Sequence, residues 1–113
     1  MNGIIGQVDM GFLGFGSGAP IDEFAIQLAT DLAKRYPATL EIDQTRKRNP
    51  SRLTKAFDST FNRAIHFQLE HKLGIYGKAK LSAAFKSELK ELGYPDEFVD
   101  LATSAMTKFL GSN

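Results

Sequence analysis

Apolar residues recur at helical spacing along four stretches of this chain. Ile21, Phe24, Ala25, Leu28, Leu32 and Tyr36 share one face when residues are set 100° apart. Pro20 suits the first turn of that helix, Asp22 and Glu23 complement its positive end, and Pro37 halts it. Leu53, Phe57, Phe61, Ala64, Ile65 and Leu69 form a second, broader apolar face. Its boundaries read from Asn49, a good N-cap, and Pro50, a good first residue, to Gly74 as the stop. That is about 24 residues and roughly 36 Å, long for so small a chain.

Two further helices follow. The first starts after Gly77, carries Leu81, Ala84, Phe85, Leu89 and Leu92, and ends at Gly93. The second opens at Pro95, with Asp96 and Glu97 in its first turn. Phe98, Ala102, Ala105, Met106 and Phe109 make its stripe, and Gly111 ends it. The joins Gly74–Gly77 and Gly93–Pro95 are short, which predicts neighbouring helices packed as hairpins. Between the first two helices, Thr39-Leu40-Glu41-Ile42 alternates enough for one short strand. The pattern predicts an all-α fold: a compact four-helix domain over residues 21–113, with room for that strand.

Residues 1–20 read differently. They hold six of the ten glycines, a density that raises backbone entropy and argues against helix. Ile4-Ile5 and Val8 suit a short strand, and the apolar Phe12, Leu13 and Phe15 are expected to dock on something. Gly14-Phe15-Gly16-Ser17-Gly18-Ala19 fits the glycine pattern that admits a dinucleotide pyrophosphate to a helix N-terminus, with Asp43 as the distant acid. That reading needs a buried strand beforehand, and Gly6, Gln7 and Asp9 interrupt the only candidate. No further strands follow residue 50. A glycine-rich N-terminal arm is the expectation, with no cofactor.

Composition narrows the class. A chain of 113 residues with 42% hydrophobic content can fill one core, burying roughly two-thirds of its unfolded surface. The absence of cysteine excludes disulfides and thiolate metal sites and suits a reducing cytoplasm. No run approaches the ~18 apolar residues of a membrane span. The N-terminal apolar stretch lacks a basic lead and contains Asp9, so it does not resemble a secretory signal. The expected setting is the cytoplasm, with no membrane partner.

Charge is unevenly spread. Residues 1–45 hold two basic and six acidic side chains, residues 46–90 eleven and three, and residues 91–113 one and four. Either the acidic ends fold back onto the basic middle, or a basic face stays open to an acidic partner. Arg46, Lys47 and Arg48 precede the long helix, and Arg52, Lys55, Ser59, Arg63 and His66 fall opposite its apolar face. Lys and Arg in such a stripe can displace counterions and donate to phosphate oxygens. The same stripe can equally be an ordinary solvated face, and the pI near 8.0 is below the ~9 typical of dedicated nucleic-acid modules.

Other candidates carry less. His66 and His71 lie about 140° apart on a helix and cannot easily share a metal; His71 is expected near the apolar face, His66 at the surface. Leu73-Gly74-Ile75-Tyr76-Gly77-Lys78-Ala79-Lys80 can be an anion-binding loop, or a helix stop and turn with Tyr76 anchored in the core. No nucleophile and base fall at a recognisable spacing. The sequence therefore points to a non-enzymatic interaction module that binds a protein partner or its own copy. The alternative is a nucleic-acid-binding accessory protein using the basic face of residues 46–66.

Overall fold

The computed structural model describes residues 18–43 and 48–111. They form five helices: α1 (Gly18–Arg35), α2 (Thr39–Ile42), α3 (Pro50–Glu70), α4 (Ile75–Glu91) and α5 (Asp96–Gly111). The all-α expectation holds, and the four long helices are those the periodicity predicts. The strand and docking expectations for residues 1–17 lie outside the described residues.

The four long helices pack in the cyclic order α1, α4, α5, α3. Side-chain contacts set their directions. Lys80 of α4 pairs with Asp22 of α1, so the starts of α1 and α4 share one end. Gln68 of α3 and Lys78 of α4 both donate to the Leu110 carbonyl, which brings the ends of α3 and α5 to that same end. Among the predicted hairpins, α4 and α5 are neighbours as expected, whereas α3 and α4 sit across the diagonal. A short join fixes where a helix can start, but the apolar faces decide what it lies against.

The core follows the stripes closely in α1, where Ile21, Ala25, Leu28, Leu32 and Tyr36 are buried. In α4 and α5 it gathers Leu81, Phe85, Leu89, Phe98, Val99, Ala102, Met106 and Leu110. Leu92 falls outside it, 43% exposed, because α4 has already ended at Glu91. In α3 the buried set is Leu53, Ala56, Thr60, Phe61, Ala64 and Gln68. The face is turned away from the predicted one, leaving Phe57 and Ile65 half-buried and Leu69 exposed. Two polar side chains account for the rotation. Thr60 Oγ1 donates to Asp31 at 2.9 Å, and Gln68 Nε2 donates to the Leu110 carbonyl at 3.3 Å. Each is satisfied on burial, so neither carries the penalty of an unmade hydrogen bond.

Helix α3 also stops earlier than Gly74. Leu73 N–H donates to the Gln68 carbonyl and Lys72 N–H to that of Leu69, with Lys72 left-handed at φ 51°. This is the Schellman arrangement, normally given to glycine. The same pattern closes α4: Tyr94 bonds back to Leu89 and Gly93 to Lys90, with Gly93 at φ 91°. Gly74 instead precedes α4 as its N-cap, and Gly77 lies within that helix rather than before it. The segment 39–42 is corrected too. Pro37 and Ala38 carbonyls accept from Leu40, Glu41 and Ile42, making a helical turn where alternation suggested a strand. A four-residue alternation fits one helical turn as well as a strand.

Two stability outcomes follow from this packing. Phe61→Ala is expected to cost about 3–5 kcal/mol in urea unfolding, because its fully buried ring leaves a central cavity. Lys72→Gly is expected to add roughly 0.5–1 kcal/mol by relieving a left-handed side-chain residue at the helix stop.

Candidate functional site

The predicted basic stripe separates into distinct environments. Arg46 and Lys47 lie outside the described residues. Arg48, which immediately follows them, is committed to the fold: its Nε and Nη2 donate to the two carboxylate oxygens of Glu41 at 2.9 and 2.6 Å. The same carboxylate accepts from the Tyr36 hydroxyl at 2.5 Å. The α2 turn holds Glu41 between these donors, and the Tyr94 hydroxyl donates in turn to the Tyr36 carbonyl. Arg48 thus ties the start of α3 to the end of α1 rather than standing open to a partner.

This network has an electrostatic signature. The Arg48 hydrogen bonds hold the Glu41 carboxyl below the usual glutamate range, against the opposing effect of burial and with help from Tyr36. Burial first, and then the hydrogen bond to Glu41, pushes the Tyr36 phenol up to about 12. Burial likewise pushes Tyr94 up to about 12.

Further along α3, Arg63 lies 3.4 Å from Asp31, which also receives Arg35 Nε at 3.0 Å and the Thr60 hydroxyl. Burial pushes the Asp31 carboxyl up, but the bonds from Arg35 and Thr60, with the two guanidinium charges, more than offset it. Its acidity is raised on balance. His66 is exposed and lines a surface groove with Arg63, Glu23, Phe24 and Phe67. His71 is exposed as well, contrary to its expected place near the core, because it caps α3 instead of extending it. Its ring lies tilted against that of Phe67, 4.2 Å between centroids. Among the described residues no group of three His, Asp or Glu side chains is placed to hold a metal.

Arg52 and Lys55 occupy a different groove, with Ser59, at the opposite end of α3. Arg52 Nε donates to the Arg35 carbonyl at 3.2 Å, fixing the guanidinium across the gap between α1 and α3. Arg35 joins the lining of this groove. Sequence reasoning missed it because it stands 17 positions before Arg52 and outside any basic run. The signal available was its place as the last residue of α1, where the chain must turn back.

The anion loop proposed for residues 73–80 is otherwise employed. Lys78 reaches the Leu110 carbonyl at 3.5 Å and Lys80 lies 3.9 Å from Asp22. Tyr76 does not anchor in the core: it is 83% exposed, next to Ile75 at 90%. With Leu69 at 59%, they leave an apolar corner where α3 hands over to α4. Leu73, between them in the chain, turns inward and is partly buried against the core. The corner escaped the periodicity because Ile75 and Tyr76 begin a helix whose buried face starts at Leu81.

No protein-family model, no curated protein and no solved structure matches this chain. No helix among the described residues is long and apolar enough to cross a membrane.

The Glu41 network sets a pH dependence. A carboxyl whose folded value is lowered contributes stability that is present above its unfolded value and lost as pH falls through the folded one. Glu41→Gln is therefore expected to cost roughly 1–2 kcal/mol at pH 7, given the partial exposure of Arg48. That difference should shrink as pH falls below the usual glutamate range, in urea titrations run at neutral and at acid pH.

Proposed function

We propose that this protein is a small, non-enzymatic helical interaction module of the cytoplasm that presents the apolar corner between α3 and α4 to a protein partner. The observation that carries the reading is the near-complete exposure of Ile75 and Tyr76 at 90% and 83%, with Leu69 near the end of α3 also exposed. Isolated exposed apolar side chains are common, but here a helix starts with two adjacent ones, and a third stands at the end of the preceding helix. Burying Ile75 and Tyr76 against a partner contributes on the order of 2 kcal/mol each. Tyr supplies a large, fairly rigid contact with a polar tip, a combination favoured at interface centres.

The surroundings support such a use. The first turn of α4 is capped by Gly74 with no side-chain hydrogen bond. The adjoining Lys78 and Lys80 are tied back to α5 and α1, which anchors the corner to the body of the bundle. A partner meeting this corner engages an apolar centre with a charged rim, the ordinary anatomy of a protein interface. A second copy of the chain is the simplest such partner.

A photo-crosslinking residue placed at Tyr76 in the full chain gives the test. It should form adducts with a second copy or with another protein, while the same residue at Lys90, which is exposed at the other end of α4, should not. Ile75→Asp with Tyr76→Glu should weaken that association about tenfold or more, with the thermal midpoint little changed. Equal labelling from both positions, together with a strictly monomeric chain in sedimentation, would contradict the reading.

A further inference from the structure

Some of the cations among the described residues are held in ion pairs, and three cations line one groove. Arg35 and Arg63 share Asp31, Arg48 is paired with Glu41, Lys80 with Asp22 and Lys86 with Asp100. Arg52 and Lys55 form no ion pair among the described residues, yet they line one groove with Arg35. The remaining polar lining is Asn49, Ser51 and Ser59, and no carboxylate contributes to it. The cavity is open to solvent and measures about 520 Å³. Asp31 partly offsets Arg35, whereas Arg52 and Lys55 beside it repel each other, and an anion placed between them removes that repulsion.

We propose that this groove, between the end of α1 and the start of α3, seats a phosphate group. Several features favour phosphate over a simple carboxylate. The terminal nitrogens of Arg52, and those of Arg35 beyond its Nε bond to Asp31, can donate to phosphate oxygens, and Lys55 adds a compact charge. The hydroxyls of Ser51 and Ser59 supply neutral donors for a group with more acceptor oxygens than a carboxylate has. Arg52 is already held by its Nε bond to the Arg35 carbonyl, so less side-chain freedom is lost when its other nitrogens meet a ligand. Asn49 Oδ1 accepts from the Arg52 backbone N–H, which fixes the first turn of α3 at the rim of the groove. The positive end of that helix dipole adds to the field of the side chains.

The groove lies at the opposite end of α3 from the apolar corner, so this inference is independent of the interaction described above. The phosphate can be carried by a nucleic-acid backbone or by a small phosphate ester, and the two sources differ in what they require beyond the groove. A nucleic acid adds neighbouring phosphates and hence a steep salt dependence. A small ester binds through the groove alone.

Amide spectra of the full chain, titrated with inorganic phosphate and with chloride at matched ionic strength, test the seat. Anisotropy of a fluorescein-labelled single-stranded oligonucleotide at low salt distinguishes the sources. Phosphate should shift the amides of Ser51, Arg52 and Lys55 saturably while chloride does not. Arg52→Ala with Lys55→Ala should weaken phosphate binding about tenfold, and Lys90→Ala should leave it within about twofold. Lys55→Glu is the second variant: Lys55 makes no ion pair among the described residues, so the charge reversal tests the groove without breaking one of theirs. Oligonucleotide binding that is tighter than phosphate binding and lost in both groove variants assigns the seat to a nucleic-acid backbone. Saturable phosphate binding with no tighter oligonucleotide binding assigns it to a small phosphate ester. Absence of saturable shifts at the groove, or binding unchanged by both variants, overturns the proposal.

Discussion

The fully buried Phe61 of α3 joins three helices through its ring. Its ring meets Phe85 of α4 edge-on at 5.7 Å and Phe109 of α5 at 5.5 Å, and it stacks on Phe57 one turn earlier at 5.1 Å. Phe57 continues the chain of rings to Phe98, which stacks between Tyr36 and Tyr94. Through these contacts α3 reaches α4 across the diagonal although the two are not packed neighbours. The aromatic chain therefore links α3, α4 and α5 and reaches Tyr36, just past the end of α1. Rings in edge-on and offset arrangements contribute beyond their buried area, and close packing leaves little room for a helix to shift.

From that core the two ends of the molecule acquire opposite characters. At one end α3 stops at Glu70, the chain turns at the left-handed Lys72, and α4 begins at Ile75, leaving Ile75 and Tyr76 exposed. At the other end the chain must return from α1 to α3, and Tyr36, Glu41, Arg48 and Tyr94 lock that return. The lock takes Arg48 out of the basic stripe and leaves Arg52 and Lys55 beside Arg35. An apolar corner and a cationic groove, separated by most of the length of α3, are consequences of where the long helix starts and stops.

Much of the fold was legible from residue spacing. The stripe of α1, the Asn49 cap with Pro50, and the Gly93 stop all rest on local rules that tertiary contacts did not override. The end of α3 was not legible, because a lysine took the left-handed position usually given to glycine and Gly74 drew the boundary to itself. The rotation of α3 was hidden for a related reason: Thr60 and Gln68 are polar by type, and only partners far along the chain make their burial favourable. The same limit applied to the candidate sites. Arg52 and Lys55 were visible as a basic stripe, but their companion Arg35 and the capture of Arg48 by Glu41 depend on the path of the chain between α1 and α3.

The account turns on an exposed apolar corner held against a rigid aromatic core. Relaxation of side-chain protons by a soluble gadolinium chelate, recorded on the monomer, measures that contrast directly. The Ile75 methyl groups and the Tyr76 ring should relax strongly, while the rings of Phe61 and Phe85 stay protected. Protection of Ile75 and Tyr76 comparable to that of Phe61 would contradict it, since the corner would then already be covered within a single chain.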